Sequence, residues 1–202
     1  MQRMRTEEHQ GRSFAGEDLS GWALEECAFT RCDFGGTTWA DAELTSCTFD
    51  ACRFTGARLN GITARHSSFL GCDFRGAQAL LRALFAECRM TGSSFEEAAL
   101  AGLELEGGDW SLVSLRGLDL RGLRFAGVRL READLSRCNL ERADLNGADL
   151  RQALVAGTRL RQADLRGTAL EGVDLAQADL KGARLDLEGA LALARSLGAV
   201  IE

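Results

Sequence analysis

The chain has 202 residues, of which 46% are hydrophobic, and a formal net charge of -6 with a pI near 5.1. This length and composition are compatible with one domain around a continuous core, whereas the acidic balance argues against direct nucleic-acid binding, which needs a basic surface. Nothing resembles a transmembrane run, and the polar start MQRMRTEEHQGR lacks a signal-peptide core, so we expect a cytoplasmic protein with no membrane partner.

Residues 1–12 precede the first regular apolar position and are expected to form an N-terminal tail or cap. From Phe14 onward a central apolar residue recurs every five positions, commonly with a small residue two positions before it. A period of five fits neither a straight helix nor a flat strand. Within one unit, however, both positions point to the same side of an extended segment, so the chain must turn after every centre. The pattern predicts an all-β fold, a parallel β-solenoid, over residues 13–185.

The spacing of identical residues indicates how many units make one turn, because like side chains stack in neighbouring coils. At a spacing of twenty there are five Phe pairs and three Cys pairs, against three and one at a spacing of fifteen. Four units per turn, and hence a quadrilateral cross-section, are therefore predicted. The longest series are Phe14, Phe34, Phe54 and Phe74, and Cys32, Cys52 and Cys72.

One residue is inserted between Ala79 and Phe85, where the centres are six positions apart instead of five. The regular repeat resumes immediately afterwards. We therefore interpret this frame shift near residues 80–84 as a bulge or small bend and not as a functional loop.

The most regular stretch runs from Arg131 to Leu185 and contains eleven units, seven of which place Asp or Asn directly before the centre. These side chains project outward. The candidate partner-binding carboxylates are Glu104, Asp109, Asp119, Asp134, Asp144, Asp149, Asp164, Asp174 and Asp179. In a four-sided coil Glu104, Asp144 and Asp164 share one side. The alternative is a solvated surface that only keeps the rod soluble.

Residues 186–202 leave the repeat and form an amphipathic helical pattern, with Asp186 and Gly198 at the N-cap and C′ positions. The apolar stripe consists of Leu187, Ala190, Leu191, Ala194 and Leu197. A solenoid end exposes open core and unpaired strand edges, so a cap is required there. The segment is either a lid on its own coil or a homodimer interface that also includes Val200 and Ile201.

Reactive residues offer little basis for catalysis. All seven cysteines occupy the small inward position and no CxxC pair occurs, which favours buried reduced thiols over a zinc site. The histidines are His9, in the expected tail, and His66, at an outward position. No nucleophile elbow, phosphate loop or HExxH pattern is present. We therefore predict a protein that is not an enzyme, with no catalytic, metal or cofactor site.

The segment ADLSRCNLERADLNGADL resembles the pentapeptide-repeat proteins, and the match covers about residues 13–185. The resemblance implies a right-handed quadrilateral β-helix. The ending LDLEGALALARSLGAVIE is similar to that of the Qnr, MfpA and AlbG group, bacterial proteins that interact with DNA gyrase, dimerise through a C-terminal helical segment and counter topoisomerase poisons. The long loops of many Qnr proteins are missing, which places the chain closer to the loop-free MfpA or AlbG type.

Two hypotheses follow. In the first, which the resemblance implies, a homodimeric acidic rod mimics B-form DNA on gyrase or topoisomerase IV and counters quinolones, albicidin-like compounds or peptide toxins, in resistance or self-immunity. In the second, the chain is a structural or adaptor solenoid with an unrelated protein partner. The sequence leaves open which drug is countered, which topoisomerase is bound, whether the enzyme is protected or inhibited, and which face of the rod makes the contact.

Overall fold

The computed structural model describes residues 2–79 and 81–201. Within these ranges the chain forms ten short strands, one turn of 3-10 helix at Leu175–Gln177, and one α-helix, α1, at Leu187–Ser196. The strands are β1 Arg3–Arg5, β2 Glu8–Gln10, β3 Ala23–Glu25, β4 Ala28–Thr30, β5 Glu43–Thr45, β6 Thr48–Asp50, β7 Thr63–Arg65, β8 Ser68–Leu70, β9 Ala83–Ala86 and β10 Leu103–Glu106.

The strands stack in two parallel sheets. One sheet has the order β1-β3-β5-β7-β9-β10 and the other has the order β2-β4-β6-β8. Partners such as Phe29 and Phe49 lie twenty residues apart, and single bridges continue this spacing as far as Asp164 and Arg184. The register confirms the parallel β-solenoid with four five-residue units in each turn.

We number the four faces by the coil whose centres are Leu115 on face 1, Leu120 on face 2, Phe125 on face 3 and Leu130 on face 4. All four side chains are buried. At a corner such as Gly117 the backbone has φ +74°, and the N–H of the next residue donates to the Leu115 carbonyl at 3.2 Å. A turn after each centre is how a repeat of five keeps every centre inside.

Aromatic rings stack from coil to coil in the core. The ring centroids of Phe34 and Phe54 are 5.0 Å apart on face 1, and those of Phe49 and Phe69 are 4.8 Å apart on face 4. These separations match the distance between strands, because in-register parallel strands place like side chains above one another. The seven cysteines are buried free thiols in the same core, as their inward positions predict.

The ladder begins earlier than the predicted boundary at residue 13. Strand β1 pairs with β3 and strand β2 pairs with β4, inside the segment expected to be a tail or cap. His9 fills a central position and its ring stacks on Phe29 at 5.2 Å, while Met4 packs against the core. Met4, His9 and Phe14 continue the spacing of five. The segment is therefore part of the solenoid.

The inserted residue is accommodated at the corner between faces 2 and 3. Strands β7 and β9 pair with a separation of 21 residues, as Thr63 with Leu84 shows. Leu81 is 69% exposed, and its N–H donates to Asn60 Oδ1 at 3.0 Å. Leu80 lies outside the described residues. The described part of the insertion is a local bend after which the ladder continues.

Helix α1 has the predicted caps. The Asp186 carboxylate accepts a hydrogen bond from the Gly189 N–H at 2.9 Å, and Gly198 follows the helix with φ +87°. Ala192 and Leu193 pack against the solenoid core. The helix therefore covers part of the C-terminal end of the rod.

Candidate functional site

The nine candidate carboxylates lie on all four faces of the rod. Face 3 holds Glu104, Asp144 and Asp164, face 4 holds Asp109 and Asp149, face 2 holds Asp119 and Asp179, and face 1 holds Asp134 and Asp174. The register thus places the first three on one side, as the four-sided coil predicts. It does not bring the nine together into one acidic face.

Arginines pair with most of these carboxylates. Within one unit, Arg121 Nη2 lies 2.6 Å from Asp119 Oδ2; across coils, Arg161 Nε lies 2.5 Å from Asp179 Oδ2. The remaining pairs are Arg82–Glu104, Arg129–Asp109, Arg116–Asp134, Arg124–Asp144, Arg131–Asp149, Arg151–Asp149 and Arg166–Asp164. Asp174 differs, because it caps the 3-10 turn by accepting a hydrogen bond from the Ala176 N–H at 3.2 Å.

An Asp-x-Arg pattern underlies the pairs within one unit. In the triplet from Asp149 to Arg151 the intervening Leu points inward, so carboxylate and guanidinium project from the same face. Side chains in this arrangement form the two-pronged ion pair that arginine makes with carboxylates. This pattern is missed when the aspartates of the sequence are considered alone. The faces consequently present ion pairs, not rows of free carboxylates.

Face 3 near the C-terminal end shows how the Asp–Arg ion pairs change the charge of the surface. The Arg166 side chain hydrogen-bonds the Asp164 carboxylate and holds its pKa at about 2. A groove of about 850 Å³ runs here, lined by Asp144 and Asp164 and by Arg124, Arg142, Arg166 and Arg184. Four arginines against two carboxylates leave a local balance of +2. This part of face 3 is therefore a mixed-charge surface.

The predicted dimer surface is exposed in the single chain. Leu187 is 72% exposed, Leu197 69%, Val200 88% and Ile201 38%. Ala190 is also exposed, while Leu191 and Ala194 are partly buried. The side of α1 that touches the solenoid is a different one, formed by Ala192 and Leu193. The helix therefore caps its own coil with one side and leaves apolar side chains free on another.

The histidine and cysteine side chains either pack in the solenoid or face solvent. His9 packs on Phe29, with Glu7 Oε2 at 3.1 Å from its Nε2, and His66 is exposed. Burial raises the pKa of Cys47, Cys88 and Cys138 to about 11. No group of three or more His, Cys, Asp or Glu within 2–79 and 81–201 has the arrangement of a metal site. In the same ranges no helix has the length and apolar character needed to cross a bilayer.

A four-sided parallel solenoid with charged outer faces defines a class of repeat protein, and the sequence comparison identifies the family. The profile described as pentapeptide repeats matches eight copies, over residues 24–61, 114–152 and 156–187. The chain belongs to the pentapeptide-repeat family. A search of curated proteins finds no match.

Solved structures with the same fold cover almost the whole chain. Full-length QnrB1, a plasmid-mediated fluoroquinolone resistance protein, is 23% identical, with 98% of this chain and 100% of QnrB1 covered and a TM-score of 0.71. HetL, a pentapeptide-repeat protein involved in heterocyst differentiation regulation in the cyanobacterium Nostoc sp. strain PCC 7120, is also 23% identical, with coverages of 93% and 88% and a TM-score of 0.60. At this identity the likeness establishes the fold.

Proposed function

We propose that this chain is a non-enzymatic DNA mimic that binds a type II topoisomerase, DNA gyrase or topoisomerase IV, as a homodimer and counters poisons of that enzyme. The observation that supports this most is the likeness to QnrB1, which covers 98% of this chain and 100% of QnrB1. The exposed apolar side of α1 supports the dimer. A dimer joined at this end would extend the rod in two directions and lengthen the surface offered to the enzyme.

The charge of the rod sets the kind of mimicry that we propose. Duplex DNA carries one negative charge per ~1.7 Å, which is about three charges for each ~4.8 Å coil of a solenoid. The whole chain has a net charge of -6, because its arginines balance most of the carboxylates. The shape of the rod, and exchange of Asp–Arg pairs for ion pairs with the partner, must therefore contribute more to binding than the net charge does. Binding should accordingly be less sensitive to salt than the binding of DNA to the same enzyme.

The same ion pairs favour a second candidate function. An adaptor solenoid with a protein partner unrelated to topoisomerases needs mixed charges for specificity and no excess of carboxylates. The likeness to HetL, which is involved in heterocyst differentiation regulation, fits this candidate. The two functions differ in whether the partner also binds DNA.

A topoisomerase assay separates the two candidates. We expect the purified chain to inhibit gyrase supercoiling, or to relieve poison-induced DNA cleavage, at near-stoichiometric concentrations. The double variant Asp144→Arg/Asp164→Arg should lose the effect, while Asp33→Arg/Asp73→Arg on the N-terminal half of face 1 should keep it. All four carboxylates are in surface ion pairs, which contribute little to stability, so folding serves as the control. An inactive parent in both assays would favour the adaptor.

A further inference from the structure

The hydrogen-bond ladder between coils is open on two adjacent faces at one level of the rod. On face 1 the Phe95 N–H donates to the Ser114 carbonyl at 2.9 Å, and on face 4 the Trp110 N–H donates to the Arg129 carbonyl at 2.7 Å. Among the described residues, however, no bridge joins Ala99 to Asp119 on face 2 or Glu104 to Arg124 on face 3. We call this gap, between residues 98–107 and 118–126, the open seam.

Each wall of the open seam is hydrogen-bonded to the coil on its far side. On the N-terminal side of the seam, the Gly102 N–H donates to the Ala79 carbonyl at 2.7 Å. On the C-terminal side, the Leu120 N–H donates to the Asn139 carbonyl at 2.8 Å. Within the described part of the chain, the N–H groups of Leu100 and Asp119 have no hydrogen-bond acceptor. The seam thus exposes two backbone edges that face each other, and each has an N–H group without an acceptor in the described chain.

The core beside the open seam is also less complete. Ala98 and Leu105 are only partly buried, and Leu123 is 9% exposed, whereas most other inward residues are almost fully covered. The buried indole Nε1 of Trp110 has no hydrogen-bond partner in the described structure. Trp39, by contrast, donates to Thr37 Oγ1 at 2.8 Å. These features lie at the same level as the gap in the ladder.

A groove of about 690 Å³ follows the open seam along face 2. One wall is the backbone segment with the small side chains Ala98, Ala99 and Ala101, and the other wall includes Asp119, Arg121 and Gly122. Glu141 and Arg142 lie at its rim, so the two acidic and two basic side chains cancel. A volume of this size is typical of ligand sites.

We propose that the open seam on face 2 is a docking site for an extended peptide segment of a protein partner, which binds by strand addition. A peptide backbone supplies donors and acceptors at the spacing of the backbone groups along such an edge. The cancelling charges disfavour a nucleic-acid strand, which needs a basic groove. The alanines leave room for the side chains of the incoming strand. The assignment does not depend on whether the partner is a topoisomerase.

Amide hydrogen exchange on the full-length chain tests the site. In the free chain the Leu100 and Asp119 amides should exchange about 100-fold faster than the Leu120 and Asn139 amides, which sit in the next, closed ladder. A synthetic peptide that copies residues 139–146, added at about 1 mM, should slow the first pair about tenfold or more and leave the second pair unchanged.

Matched controls isolate backbone recognition. A scrambled version of the peptide should still protect the Leu100 and Asp119 amides, whereas a version with N-methylated peptide bonds should not. Ala101→Arg, in the groove, should abolish the protection. Ala51→Arg should not, because Ala51 is exposed and directly follows β6, which pairs with a strand on both sides. Equal protection of both amide pairs in the free chain would overturn the proposal, because the seam would then be closed in solution. No slowing by the peptide, or equal slowing by the N-methylated one, would overturn it as well.

Discussion

Replacing Leu197 by Asp tests the dimer that the C-terminal helix is proposed to form. Leu197 is 69% exposed in the single chain, on a side of α1 that does not touch the solenoid. Because a two-fold interface uses the same patch from both protomers, one substitution removes the apolar contact twice. The variant should therefore dissociate strongly while its fold stays intact.

The exposure of the side chain gives the size of the effect. Full burial of a Leu side chain contributes about 1.5–3 kcal/mol, so covering the exposed 69% contributes about 1–2 kcal/mol in each protomer. Two copies give about 2–4 kcal/mol, and each 1.4 kcal/mol is a factor of ten. The dissociation constant should rise about 30- to 700-fold.

Sedimentation equilibrium over a range of concentrations measures this change directly. Leu112→Asp is the matched control, because Leu112 is 53% exposed but follows Trp110, several coils before the helix. Leu112→Asp should leave the dissociation constant unchanged. A parent that is monomeric at about 100 μM, where a specific dimer should form, or an equal effect of both substitutions, would refute the interface.

Three further predictions concern the repeat itself. Gly108→Ala should lower the free energy of unfolding, measured with denaturant, by at least about 3 kcal/mol, because φ is +95° and the new Cβ would lie 2.4 Å from the Cys88 carbonyl oxygen. Gly117→Ala is the control: φ is +74° but the space around it is open, so it should cost only about 1 kcal/mol. The Asp164 carboxylate should titrate near pH 2 by NMR, and Arg166→Ala should raise its pKa toward about 3.9; because the folded pKa is the lower one, the pair stabilises above the unfolded pKa and this contribution is lost as the pH falls toward 2. The seven thiols should resist Ellman's reagent at pH 8 until the chain unfolds, as each is buried in the core.

The overall fold could be predicted from the sequence because packing enforces the repeat at every turn. Phe34 must lie above Phe54 if parallel strands are in register, so a spacing of twenty in the chain becomes a ring-to-ring distance of 5.0 Å. The N-terminal boundary was missed for the opposite reason. Met4 and His9 keep the spacing but are not the usual core residues, and their pairing is visible only in the ladder.

The surface was harder to predict than the core. Outward positions carry no packing constraint, so the Asp-x-Arg pattern became informative only once the pairs were seen on one face. The open seam has no signal in the period at all, because Phe95, Leu100, Leu105 and Trp110 are regular centres. The local hints are the alanines at 98, 99 and 101, which reduce the side-chain volume that would hold neighbouring coils together.

Binding of the purified chain to DNA gyrase, measured in the absence and presence of duplex DNA, tests the proposed function most directly. A rod that occupies the DNA-binding surface predicts saturable binding that duplex DNA displaces competitively. No binding, or binding that excess DNA leaves unchanged, would contradict DNA mimicry.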